Sequence, residues 1–167
     1  MQPVDRGVFR VLFLCTGNSA RSQMAESVLN QRGRGRLAAD SAGSEPAARV
    51  NPYALSALRE GGIRWNGHPP RGLEGLQSAS WDVVITVCDN AREACPIFPG
   101  HPLVVHWPMS DPAAIEGSDE DKRRAFAGAL RLIIRRVDLL FDIPIESLER
   151  PAVHERLQGI AAVQPVA

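Results

Sequence analysis

The segment Cys15-Thr16-Gly17-Asn18-Ser19-Ala20-Arg21-Ser22 places a thiol and a guanidinium at either end of a run of small residues. A thiolate is a nucleophile, and a guanidinium is a planar fork that matches two oxygens of a tetrahedral oxyanion. Between them, backbone N–H groups of a tight loop entering a helix can converge on the same anion, aided by the helix dipole. Gly17 allows close backbone approach, and Asn18 tolerates a left-handed conformation. Arg21, the helix start and a hydrogen bond from Ser22 are expected to lower the Cys15 pKa. Nucleophile and anion pocket thus come from eight consecutive residues, with Thr16, Gly17, Asn18, Ser19, Ala20, Arg21 and Ser22 lining the pocket.

The flanking sequence positions this loop. Val8 to Leu14 is an apolar, β-rich run that reads as a buried strand, and Met24, Ala25, Val28 and Leu29 recur at helical spacing up to Gly33. The cysteine therefore ends a strand and the arginine opens a helix. Further strands are expected at Arg36–Gly43, Asp82–Val87 and Leu103–Trp107. Asn51 caps a helix to Glu60, with Pro52 at its first position. Residues 63 to 80 are loop-rich, with at most a brief helix near Leu73 to Ser80. A long amphipathic helix runs from Ser118 or Asp119 to Phe141. Strands alternating with helices specify an α/β fold, a parallel sheet covered on both faces. Ligands of such sheets bind beyond the carboxyl ends of the strands, so Cys15, Cys88 and Asp111 should gather on one edge.

Cys88 and Cys95, the latter followed by Pro96, are the second informative feature. Seven helical positions span about 10.5 Å, whereas a disulfide needs Cα atoms within about 7 Å. Pairing would require this segment to loop or unwind, as suits a transient bond. Pro96 biases Cys95 away from helical geometry. The alternative is a buried cysteine beside a loop cysteine; a zinc site fits poorly, because no Cys-x2-Cys spacing or histidine pair accompanies them.

Composition narrows the classes. The chain has 167 residues, 44% of them hydrophobic, enough for one domain with a substantial core. Nineteen basic side chains balance nineteen acidic ones, so no global field favours nucleic acid or a membrane surface. The Arg32–Arg36 cluster, without interleaved aromatics, reads as a solvated helix end. No signal-like or membrane-spanning segment is evident at the N-terminus, and a cytoplasmic location is expected. Three cysteines cannot all pair within one chain and suit catalysis in a reducing compartment.

Taken together, these motifs resemble the arsenate reductases built on the low-molecular-weight protein tyrosine phosphatase fold. The similarity extends over roughly residues 8 to 142: Cys15–Ser22 matches the family's phosphate-binding loop, Cys88 and Cys95 its redox pair, and Asp111-Pro112 its acid-bearing loop. The resemblance implies a three-layer αβα domain over residues 1–143, with a four-stranded parallel sheet of flavodoxin-like topology. Residues 144–167 would form an extension with a short helix through Leu148, Val153, Leu157 and Ile160. It implies that Cys15 attacks arsenic, Asp111 protonates the departing oxygen, and Cys88 then Cys95 carry a disulfide outward. Thioredoxin, or glutaredoxin with glutathione, would restore the thiols, and phosphate or sulfate would compete with arsenate. Neither nucleic acid nor a membrane is an expected partner, and no tightly bound cofactor is expected. Some relatives bind potassium beside the loop, for which Asn18, Glu26 and Ser41 are the matching positions.

The residues leave three readings open: an arsenate reductase, a phosphatase, and a non-catalytic oxyanion or redox sensor. Two cysteines beyond Cys15 have no part in ester hydrolysis, and the adjacent tyrosines that usually follow Asp-Pro in phosphotyrosine enzymes are missing. Asp111 can alternatively cap a turn. His106 could reach the site but better fits an edge histidine; His68, His101 and His154 read as loop or surface positions. Trp65, Trp81 and Trp107 read as core anchors.

Overall fold

A computed structural model describes residues 7–164. Four parallel strands lie in the order β2-β1-β3-β4: β1 (Phe9–Cys15), β2 (Leu37–Gly43), β3 (Val83–Thr86) and β4 (Leu103–His106). The strand alternation of β1 divides the interior. Val11, Phe13 and Cys15 face one large cluster with α1 (Arg21–Gly33), α2 (Pro52–Glu60), α4 (Asp119–Phe141) and α5 (Arg150–Ile160). Leu12 and Leu14 face a smaller one with Trp81, Val84, Ala91 and Phe98.

The fold is the expected three-layer α/β architecture, with unequal outer layers. One face carries four helices. The other is covered by irregular chain from Leu73 to Trp81, by Phe98, and by α3 (Asp89–Glu93), a helix of five residues. The brief helix considered near Leu73 to Ser80 is instead a series of turns, closed by bonds such as Leu76 N–H to the Leu73 carbonyl.

Local chemistry explains the element ends. Asn51 accepts the Tyr53 N–H at the start of α2, as its type and the following proline require. Ser118 and Asp121 form a reciprocal capping box at α4. Of the basic cluster, Arg32 pairs with Asp138 and Arg36 with Glu146, so these arginines serve the fold itself. Among the described residues, no helix is long and apolar enough to cross a membrane.

Candidate active site

The loop after β1 is held from outside by the chain that follows β2. The Cys15 carbonyl accepts from Ser44 N–H, Thr16 from Glu45, Gly17 from Ala47 and Ser19 from Asn51, at 2.8–3.2 Å. In a trans peptide the C=O and the next N–H point in opposite directions. Turning those carbonyls outward therefore turns the N–H groups of Thr16, Gly17, Asn18 and Ala20 inward, and Asn18 N–H does meet the Cys15 sulfur at 3.2 Å. Asn18, rather than Gly17, takes the left-handed conformation, at φ 51°. Ala20, at the start of α1, offers no capping side chain, so the dipole end of the helix is directed at the loop's interior.

Two features of this cradle were not legible in the motif. Gly43 pairs with Cys15 across β2 and β1, and a Cβ there would lie 2.4 Å from the Thr16 carbonyl oxygen. Only glycine lets the loop fold down over the end of β2. Beneath it, buried Asn18 donates to Ser22 Oγ at 2.8 Å and Ser41 Oγ at 2.9 Å and accepts the Arg71 N–H at 3.0 Å. This network over-determines the strained backbone at Asn18.

The Cys15 thiol is buried, and Ser22 Oγ lies 2.8 Å from its sulfur. Burial pushes its pKa above the ordinary value. The Ser22 hydroxyl, the Ser22 and Asn18 N–H groups and the Arg21 charge pull it back without reversing the shift. The expectation of a lowered pKa is thus corrected: desolvation outweighs these donors.

Arg21, Cys88 and Asp111 converge on the same sheet edge, as the topology requires. The ladder continues past the strands, with Val87 N–H donating to the Leu14 carbonyl, Trp107 to Thr86 and Met109 to Val87. It carries Met109 across to Arg21, whose Nη1 donates to the Met109 carbonyl at 3.1 Å while Nη2 lies 3.8 Å from Asp111 Oδ2. Asp111 caps the turn Pro112–Ala114, its Oδ1 accepting the Ala113 N–H, while Oδ2 faces the guanidinium. A cleft of about 660 Å³ opens beside Arg21, Cys88, Met109 and Asp111.

Cys88 reaches the loop directly, its sulfur lying 3.2 Å from Thr16 Oγ1. It is also the N-cap of α3, with Ala91 N–H donating to its sulfur at 3.4 Å. Cys95 lies beyond the far end of α3, half-buried against the smaller cluster, and burial raises its pKa. All three cysteines are free thiols.

The positions matched to a potassium site carry different chemistry. Asn18 and Ser41 bond to each other, and the fully buried Glu26 carboxylate is taken up by His68 Nε2 at 2.8 Å, Asn66 Nδ2 at 2.9 Å and the Arg71 guanidinium at 3.5 Å. The Glu26 oxygens are already engaged by Asn66, His68 and the Arg71 guanidinium, whose positive charge would repel a cation beside them, so the residues present do not fit potassium. His68 lies in a loop, as expected, and from there its ring reaches the buried Glu26. His106 is an edge histidine, held by Thr86 and Asp89. His101 and His154 lie at the periphery, and each indole N–H donates to a partner: Trp65 to Gln23, Trp81 to Leu76, Trp107 to Leu157.

Comparison with known proteins agrees with this fold. The family model described as low molecular weight phosphotyrosine protein phosphatase matches residues 10–141. The arsenate reductase of Bacillus licheniformis is 40% identical over 112 residues, covering 67% of this chain and 80% of that protein. A solved arsenate reductase in its phosphate binding state shares 30% identity at a TM-score of 0.60, covering 77% and 93% of the two chains. The thioredoxin-dependent arsenate reductase of Corynebacterium glutamicum matches at 26% identity and a TM-score of 0.55, over 81% of this chain and 65% of that one. The chain belongs to the low molecular weight phosphotyrosine protein phosphatase family and stands within it beside relatives named arsenate reductase.

Proposed function

We propose that this protein reduces arsenate to arsenite by a three-cysteine relay. The observation that carries the reading is the contact of Cys88 with Thr16, which sets a second thiol against the loop of the first. Arsenate occupies the N–H cradle with Arg21 on two of its oxygens. As Cys15 forms a sulfur–arsenic bond, its thiol proton passes to the bound arsenate dianion, and one arsenate oxygen, protonated by Asp111, leaves as water. Cys88 thiolate then attacks the Cys15 sulfur. The new S–S bond forms as the S–As bond breaks, its electron pair passes to arsenic, and arsenite departs. Cys95 thiolate attacks Cys88, frees Cys15 and leaves a Cys88–Cys95 disulfide.

That last step requires α3 to open, since Cys88 and Cys95 flank it. A dithiol of the thioredoxin class suits the exposed end of the relay, where Ile97 beside Cys95 presents an almost fully exposed apolar side chain. The thioredoxin dependence of a structural relative supports the same partner. A phosphatase would use Cys15, Arg21 and Asp111 and leave the other two thiols idle. The reading is tested by arsenite formation with purified thioredoxin, thioredoxin reductase and NADPH, set against a glutaredoxin–glutathione system. Sustained arsenite release with the thioredoxin system is expected; ester hydrolysis without arsenite would overturn it.

A further inference from the structure

Arg136 lies on α4 and is only 2% exposed, yet its guanidinium is held by backbone carbonyls and not by a carboxylate. Nη1 donates to the carbonyls of Trp107 at 3.2 Å and Pro108 at 3.0 Å. Nη2 donates to those of Ala161 at 3.3 Å and Val163 at 2.9 Å. Its buried Nε has no partner, so the side chain accepts a desolvation penalty to bridge two chain segments. A buried cation surrounded by carbonyl dipoles, with no fixed anion, is a costly way to fill a core and points to a geometric duty.

The segments it joins lie far apart in the sequence. Pro108 is adjacent to Met109, whose carbonyl receives Arg21 Nη1, and three residues before Asp111. Ala161 and Val163 follow α5, outside the matched family region at residues 10–141. The helix α5 grips the preceding residues as well. The Gln158 amide accepts from His106 N–H and donates to the His106 carbonyl, pairing with the edge of β4 as a strand would. Trp107 Nε1 donates to the Leu157 carbonyl at 2.9 Å. Residues 106, 107 and 108 are thus each tied to the C-terminal segment, directly or through Arg136.

We propose that Arg136 is a positioning residue, through which the segment after α4 braces the acid-bearing loop and holds Met109 and Asp111 beside Arg21. The proposal rests on the reductase reading for its kinetic consequence, but not for its structural one. A brace of this kind acts on the step that needs the loop in register, and a displacement near 1 Å lowers such a step by about 100-fold.

The test compares full-length wild type, Arg136→Met and Arg136→Lys, with Leu58→Ala as a core truncation in α2 remote from the loop. Arsenite formation with thioredoxin gives kcat and KM, and hydrogen exchange at the Met109 and Ala113 amides reports the loop without any catalysis. Arg136→Met is expected to lower kcat by about 30- to 100-fold with KM changed less than about threefold, and to speed exchange at Met109 by about tenfold, with the amides of α1 unmoved. Arg136→Lys, which keeps the charge but serves fewer carbonyls, should fall between the two; it decides the question alone if the methionine variant does not fold. An equal kcat loss in Leu58→Ala, or wild-type exchange at Met109 in both Arg136 variants, overturns the proposal. A wild type that releases no arsenite would overturn the reductase reading, while the exchange data would still judge Arg136.

Discussion

Cys15 sits in a loop fixed from every side, whereas Cys88 and Cys95 flank a helix of five residues that buries only Ala91. The loop's carbonyls are clamped by residues 44 to 51, the side chain of its left-handed Asn18 is pinned by four neighbours, and a large four-helix core lies behind it. The redox segment rests on the smaller cluster, in the thin layer of the sandwich. The difference follows from the chemistry each part performs. Holding an oxyanion needs N–H groups that do not reorganise, while passing a disulfide from Cys88 to Cys95 needs a segment that opens at low free energy.

The largest test of this division is Cys88→Ser. Multiple turnover of arsenate should vanish, while hydrolysis of a small aryl phosphate, which needs only the rigid half, should persist near its wild-type rate; parallel assays of both reactions check this. Loss of both activities would mean that the two regions are one structural unit. Next in size, Asp111→Asn should lower the rate of the first chemical step by about 10²- to 10⁴-fold, measured in a single turnover, with little change in oxyanion binding.

Gly43→Ala strikes the rigid half without touching a reacting group. A Cβ placed 2.4 Å from the Thr16 oxygen forces the loop backbone to move, so phosphate affinity should fall and stability drop by about 2–4 kcal/mol. Calorimetric titration and urea melts read the two effects. Ser22→Ala removes the strongest of the groups that pull the Cys15 pKa down, so the thiol should titrate higher still and iodoacetamide should label it more slowly at pH 8. The smallest effect belongs to the thin layer: Ala91→Gly weakens α3 by about 1 kcal/mol and should accelerate Cys88–Cys95 disulfide formation without altering phosphate affinity. A slower relay in that variant would contradict the view that opening α3 limits the step.

Much of the rigid half was legible in the sequence. The strand before Cys15, the helix from Arg21, the Asn51 cap and the Ser118 start of α4 all follow from local patterns that short-range chemistry fixes. The parallel topology correctly brought Cys15, Cys88 and Asp111 to one edge. What escaped depends on contacts between distant residues or on burial. The clamp by residues 44 to 51 is made of backbone groups and leaves no side-chain signature. The need for glycine at position 43 appears only once Thr16 lies over it. The service that the loop residues His68 and Arg71 give to Glu26 appears only once their loop folds onto it. The raised Cys15 pKa reflects a depth of burial that a motif does not encode, and α3 is too short to show a periodicity.

The central claim, that electrons reach the arsenate held in the rigid loop through Cys88, is tested most directly by mapping the disulfide trapped in Cys95→Ser after reaction with arsenate in the absence of any other thiol. The account predicts one arsenite released per protein and a Cys15–Cys88 linkage in the peptide mass spectrum. A protein that releases no arsenite and leaves Cys15 and Cys88 both reduced would contradict it.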